Sequence, residues 1–165
     1  MKKRLILATA LFSLGLVACQ QHNPANSSVS TTPSHHSASA LTEQNKKLVV
    51  DFYEGVFSKH QVQTYSDRYI STQYIQHNPY VADGKAPFVN YFTQYFKEHP
   101  NAKNTIKRVV AEGDLVLLHV HSTQNAQDRG EAVVDIFRVE QGKIVEHWDV
   151  IQSIPAESAN RNTMF

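Results

Sequence analysis

Apolar positions recur with a helical period over the first hundred or so residues and with a strand period after them. Leu48, Val49, Phe52, Tyr53, Val56 and Phe57 make one face of a 3.6-residue repeat, and Thr42 stands where a helix start needs a side-chain cap. A short second helix is predicted over residues 61–69. The segment Tyr74-Ile75-Gln76-His77-Asn78-Pro79 then reads as irregular chain, because Pro79 ends regular structure. A third helix starts at Gly84 and Pro87, carries the stripe Phe88, Val89, Tyr91, Phe92, Tyr95 and Phe96, and stops at His99-Pro100. Aromatic residues at that spacing are expected in a core rather than around a ligand.

Beyond Asn101 the pattern predicts four strands, over residues 105–111, 115–123, 133–139 and 143–152, with tight turns at Glu112-Gly113-Asp114 and Gln141-Gly142. Three helices before four antiparallel strands make an α+β domain with the helices on one face of the sheet. A strongly twisted sheet closed by helices leaves a hollow, and such hollows hold small ligands.

Polar residues in the last hairpin are the first candidates for chemistry. With Gln141 and Gly142 as the whole loop, unbroken pairing sets Val139 opposite Ile144, Phe137 opposite Glu146 and Asp135 opposite Trp148. Asp135 thus interrupts an apolar row, where a carboxylate without a partner is costly to bury. His119 and His121 share a face of the preceding strand. One register sets His119 opposite Asp135, and a slip of one residue turns both histidines to the other side. A carboxylate bonded to an imidazole can remove a proton next to a carbonyl and return it elsewhere. His77 and Asn78 fall where the chain leaves the helices, near the rim of the hollow. Asp135, His77 and His119 are therefore the catalytic candidates, with Tyr53, Asn78, His121, Phe137 and Trp148 around the substrate. In the unbroken register His147 and Asp149 lie on the opposite face. The histidines and aspartates match no compact ligand spacing, so no metal is predicted.

The first residues change the picture of where this happens. MKKRLILATALFSLGLVACQQ has a basic start, an apolar run from Leu5 to Val17 and the chain's one cysteine. Leu16-Val17-Ala18-Cys19 resembles the lipobox of bacterial lipoproteins, in which cleavage before the cysteine makes it the lipid-bearing N-terminus. Residues 1–18 then form a signal peptide, and residues 19–40, rich in Ser, Thr, Asn and Pro, a disordered tether. Residues 41–165 form the folded domain, enough for one core. Loss of Lys2, Lys3 and Arg4 takes the balance from 16 basic and 15 acidic residues to 13 and 15, so net charge falls from +1 to −2. No basic stripe remains to bind nucleic acid, whereas acyl chains on Cys19 would anchor the protein to a membrane of the cell envelope.

The stretches YIQHNP (Tyr74 to Pro79), ADGK (Ala82 to Lys85), VVAEGDLV (Val109 to Val116), HVH (His119 to His121), DRG (Asp128 to Gly130) and VVDIFRVEQGKIVEHWDVIQ (Val133 to Gln152) resemble the SnoaL-like polyketide cyclase group of the nuclear transport factor 2-like superfamily. The resemblance implies a cone-shaped fold, three helices against a curved four-stranded sheet enclosing a pocket. It also implies homodimers formed through the sheet and cofactor-free ring closure by an aspartate acid/base, for which Asp135 is the counterpart by position, with the HNP and HVH histidines beside it. The expected partner is a small apolar or carbonyl-containing molecule. Because the same fold serves several ends, a non-catalytic ligand-binding or sensing lipoprotein and a structural dimer stand beside the enzyme as readings.

Overall fold

A computed structural model describes residues 34–165 of the protein. The signal peptide expected over residues 1–18, the lipid site Cys19 and the tether up to residue 33 lie outside the described residues. Helix α1 covers Ser34–Tyr53 and so begins inside the stretch read as tether. Thr42 is not its cap: its hydroxyl donates back to the Ala38 carbonyl at 3.0 Å, within the helix. Once the apolar stripe is docked, adding a turn of Ala and Ser costs little, because propagation is far cheaper than nucleation. The side-chain amide of Asn45 also ties α1 to the turn between later strands, donating to the Gly113 carbonyl at 3.2 Å.

A π-helical turn, Glu54–Ser58, continues α1. The Lys59 amide reaches back five residues to the Glu54 carbonyl at 3.0 Å. Gly55 is required there, since a Cβ would fall 2.1 Å from the Tyr65 ring. Helix α2 (Val62–Tyr69) follows, and the chain passes directly into a strand, β1 (Ile70–Gln76). This corrects the expectation of irregular chain and of four strands. Only Ile70 and Tyr74 of β1 are buried, so an edge strand with a mostly polar face gave little apolar signal. Helix α3 (Lys85–Glu98) then precedes β2 (Lys103–Glu112), β3 (Leu115–Thr123), β4 (Glu131–Glu140) and β5 (Lys143–Ser153).

The five strands form one curved sheet in the order β1-β5-β4-β3-β2, with β1 parallel to β5 and every other pair antiparallel. Val116, Leu118 and Val120 of β3, Phe137 of β4 and Ile144 of β5 are buried on its inner face against Val49, Phe52 and Val56. Phe52 lies between Phe88 and Phe137, each ring 5.9 Å away. Each such side chain contributes about 1.5–3 kcal/mol by leaving water.

The β4–β5 hairpin turns on two residues, as its sequence predicts. Gln141 (φ 51°) and Gly142 (φ 73°) both take the left-handed conformation that a type I′ turn needs. Its register is different. Val139 pairs with Ile144, but Arg138 then pairs with Glu146, so β5 carries one extra residue, Val145, in a bulge. Every pair beyond the bulge is shifted: Phe137 meets His147, Ile136 meets Trp148 and Asp135 meets Asp149. Across the other edge of β4, Leu118 stands opposite Asp135 and His119 opposite Val134.

Candidate functional site

The bulge determines which side chains meet under the helices. Side chains alternate between faces, so one inserted residue turns His147 and Asp149 inward beside Asp135 and turns Trp148 outward. His147 Nε2 lies 3.0 Å from Asp135 Oδ1. Both residues are buried, at 7% and 6% exposure, which makes this contact the centre of the site. The other ring nitrogen, Nδ1, is 2.8 Å from Gln76 Oε1 at the end of β1. That oxygen also accepts the Asn78 amide at 3.0 Å, which fixes it as an acceptor and the imidazole Nδ1 as a donor. One proton must therefore lie between Nε2 and Oδ1, carried by the imidazolium or by the carboxyl group. Without it a lone pair would face a carboxylate.

Asp135 Oδ2 is buried and has no donor in hydrogen-bonding geometry among the described residues. Asp149, half-buried, accepts a bond from the Asn78 side-chain amide at 2.5 Å. Asn78 is itself held by an Asx turn, its Oδ1 accepting the Tyr80 amide at 2.9 Å. These groups are the main polar cluster of a cavity of about 180 Å³ that is also lined by the aromatic residues Tyr53, Phe57, Phe88, Tyr91, Phe92 and Tyr95, by Val133 and Ile151, and by Glu131. Burial first, then the charge of Asp135 and a hydrogen bond toward its carboxylate, push the Tyr53 hydroxyl well above its ordinary range. Tyr74 is raised in the same way, by burial and then by Asp135 and Asp149. Both tyrosines are thus held as neutral donors. Asp135, His147 and Asp149 each offer an atom within 4.8 Å of the others, a spacing that also suits a metal ion. A wider, open groove of about 430 Å³ beside the β3–β4 loop shares Tyr95, Ser122 and Glu131 with the cavity but none of this cluster.

Of the residues singled out from sequence, Asp135, Tyr53, Asn78 and Phe137 line the cavity. His77, His119, His121 and Trp148 do not. His77 is on the outer side, with Nε2 2.9 Å from Glu146 Oε1 and its ring stacked on Trp148 at 4.7 Å. His119 accepts a bond from Arg108 at 3.1 Å, His121 donates to the Arg129 carbonyl at 2.8 Å, and both rings lie beside Phe165. The cause is one slip in each ladder: β3 places Leu118, not His119, against Asp135, and the bulge reverses β5.

Sequence reasoning missed His147, Asp149 and Gln76, and it assigned Tyr91, Phe92 and Tyr95 to the core. A usable signal existed. The unbroken register leaves Arg138 opposite Val145 and buries Glu146 beside Phe137, whereas the bulged one sets Arg138 Nε 2.8 Å from Glu146 Oε2.

Residues 47–160 match the model of the family described as SnoaL-like polyketide cyclase. No curated protein matches the chain. Among solved structures, a SnoaL-like protein of unknown function from Burkholderia thailandensis superposes with a TM-score of 0.58 at 12% identity, covering 68% of this chain and 98% of that one. A protein from Kribbella flavida, provisionally described as a ketosteroid isomerase, gives 0.58 at 16% identity over 75% of this chain and 89% of its own. TsrD from Streptomyces laurentii gives 0.53 at 16% identity over 66% and 88%. At these identities the likeness concerns the fold.

Proposed function

The chain belongs to the SnoaL-like polyketide cyclase family, and from that premise we propose that its cavity carries out cofactor-free proton transfer at a carbon next to a carbonyl. The observation that supports this reading is the division of labour on Asp135. Oδ1 is engaged by His147, while Oδ2 is buried, accepts no bond in full hydrogen-bonding geometry among the described residues, and lies on the carboxylate toward which the Tyr53 hydroxyl is directed, so it can take a proton. In the proposed step Oδ2 removes the proton, the electron pair moves to the carbonyl oxygen as an enolate, and the same carboxyl returns the proton to another position of the conjugated system. His147, oriented by Gln76, stabilises the ionised carboxylate before the proton is taken and again after it is returned. Asp149 and Asn78 orient the ligand, and Tyr53 offers a neutral hydroxyl. His147 takes the place of His77 and His119 as the partner of Asp135.

The sequence supports two further proposals. Cys19 anchors the protein by lipid to the cell envelope, and the outer face of the sheet joins two copies.

Proton exchange tests the catalytic reading. Small carbonyl compounds incubated with the full chain in deuterated water should exchange protons next to the carbonyl, and Asp135→Asn should stop the exchange while neutral compounds still bind. Binding without exchange in the parent protein would favour the ligand-binding lipoprotein instead.

A further inference from the structure

The cavity's charge and walls point to a ligand that no comparison names. Three carboxylates, Glu131, Asp135 and Asp149, line it, and no lysine or arginine among the described residues does. His147, the one basic group in the lining, already faces Asp135 and Gln76. An anion entering this space would meet like charges in a poorly solvated site. A neutral molecule would leave the Asp149 carboxylate with the neutral Asn78 amide as its hydrogen-bond donor among the described residues and no charge from the ligand to offset it. The walls suit a cation for a separate reason, because the faces of Tyr, Phe and Trp rings attract ammonium groups. At about 180 Å³ the space is smaller than the roughly 300–1,000 Å³ clefts that take drug-sized ligands.

We infer that the cavity binds a small organic cation, a protonated amine whose N–H groups are donated to Asp149 and whose apolar part lies among Tyr91, Phe92 and Tyr95. This rests on the ligand site proposed above and adds the ligand's charge. It also answers a difficulty in the chemistry. An enolate formed beside Asp149 and Glu131, with Asp135 holding the proton, is opposed by their field, and a substrate that carries its own positive charge offsets the charge that develops. The substrate class is then an amine-bearing carbonyl compound.

Three probes of one shape test it by calorimetry on the full chain at neutral pH: 2-phenylethylamine, 2-phenylethanol and phenylacetate. The amine should bind at least about tenfold more tightly than the alcohol, with phenylacetate weakest. Asp149→Asn should reduce the amine's advantage over the alcohol to under about threefold. Glu131→Gln should reduce it by less, and unchanged melting curves show that both variants fold. Equal binding of amine and alcohol, stronger binding of phenylacetate, no amine binding at millimolar concentration, or an advantage untouched by both variants overturns the inference. So does zinc alone binding more tightly than the amine and excluding it, which would assign the cluster to a metal. Loss of deuterium exchange with the amine preference intact would remove the catalytic reading and leave this one. Intact exchange with no preference would do the reverse.

Discussion

Arg138 Nε donates to Glu146 Oε2 at 2.8 Å directly across the β4–β5 ladder, one residue beyond the bulge that turns His147 inward. Glu146 is held below the usual carboxylate range, first by the hydrogen bond from His77 and then by Arg138. A carboxylate lowered by folding adds stability above its unfolded pKa of about 4.3 and loses it as pH falls through the folded value. Acid melting of the parent should therefore be steeper below about pH 4 than that of Glu146→Gln. Parallel melting curves would show that the pair adds nothing to stability in acid.

The two histidines nearest the carboxylates should behave oppositely. His147→Ala leaves Asp135 buried without its partner and should cost about 3–5 kcal/mol together with all proton exchange. His77→Ala removes a ring stacked on Trp148 outside the cavity and should leave exchange within about twofold of the parent, with a surface-scale loss of under about 1 kcal/mol. Denaturant melts and the deuterium assay read both.

Tyrosine ionisation should limit stability in alkali. Tyr69 is pushed up to about 12 by burial and its bond to Asp51, and Tyr53 and Tyr74 lie well above their ordinary value. A raised pKa gives stability that is whole below the unfolded value of about 10 and is lost as pH rises toward the folded one. Ultraviolet titration should show these three tyrosines ionising only with unfolding, and Tyr53→Phe should flatten the decline above about pH 10.

The outer face of the sheet should join two copies: Val134, Ile136, Val145 and Ile151 are the outward apolar residues in the unbroken register, and the first two keep that place. Val145 sits in the bulge and Ile151 lines the cavity, so the apolar outer set is Val134, Ile136, Trp148 and Val150, the last 67% exposed. Sedimentation of the full chain at micromolar concentration should give a dimer, and Val150→Glu should shift it toward monomer. A monomeric parent would remove the dimer.

Fatty-acid labelling in cells should mark the parent and not Cys19→Ala. Equal label in both would remove the lipid anchor.

The sequence by itself determined the α+β class, the third helix, the β3 boundaries, the Gln141-Gly142 turn and the place of Asp135 as a carboxylate in a buried apolar row, because these depend on local period, turn chemistry and one polar residue among apolar ones. Only the tertiary structure decided what faces Asp135. Strand side chains alternate, so one extra residue at Val145 exchanges Trp148 for His147 and Asp149, and no local pattern penalises that slip until the Arg138–Glu146 pair is formed across the ladder. The same holds for β1. Its seven residues gain their place by lying parallel to β5, and with it Gln76 comes within 2.8 Å of His147, a contact between positions about seventy residues apart that only the assembled sheet creates.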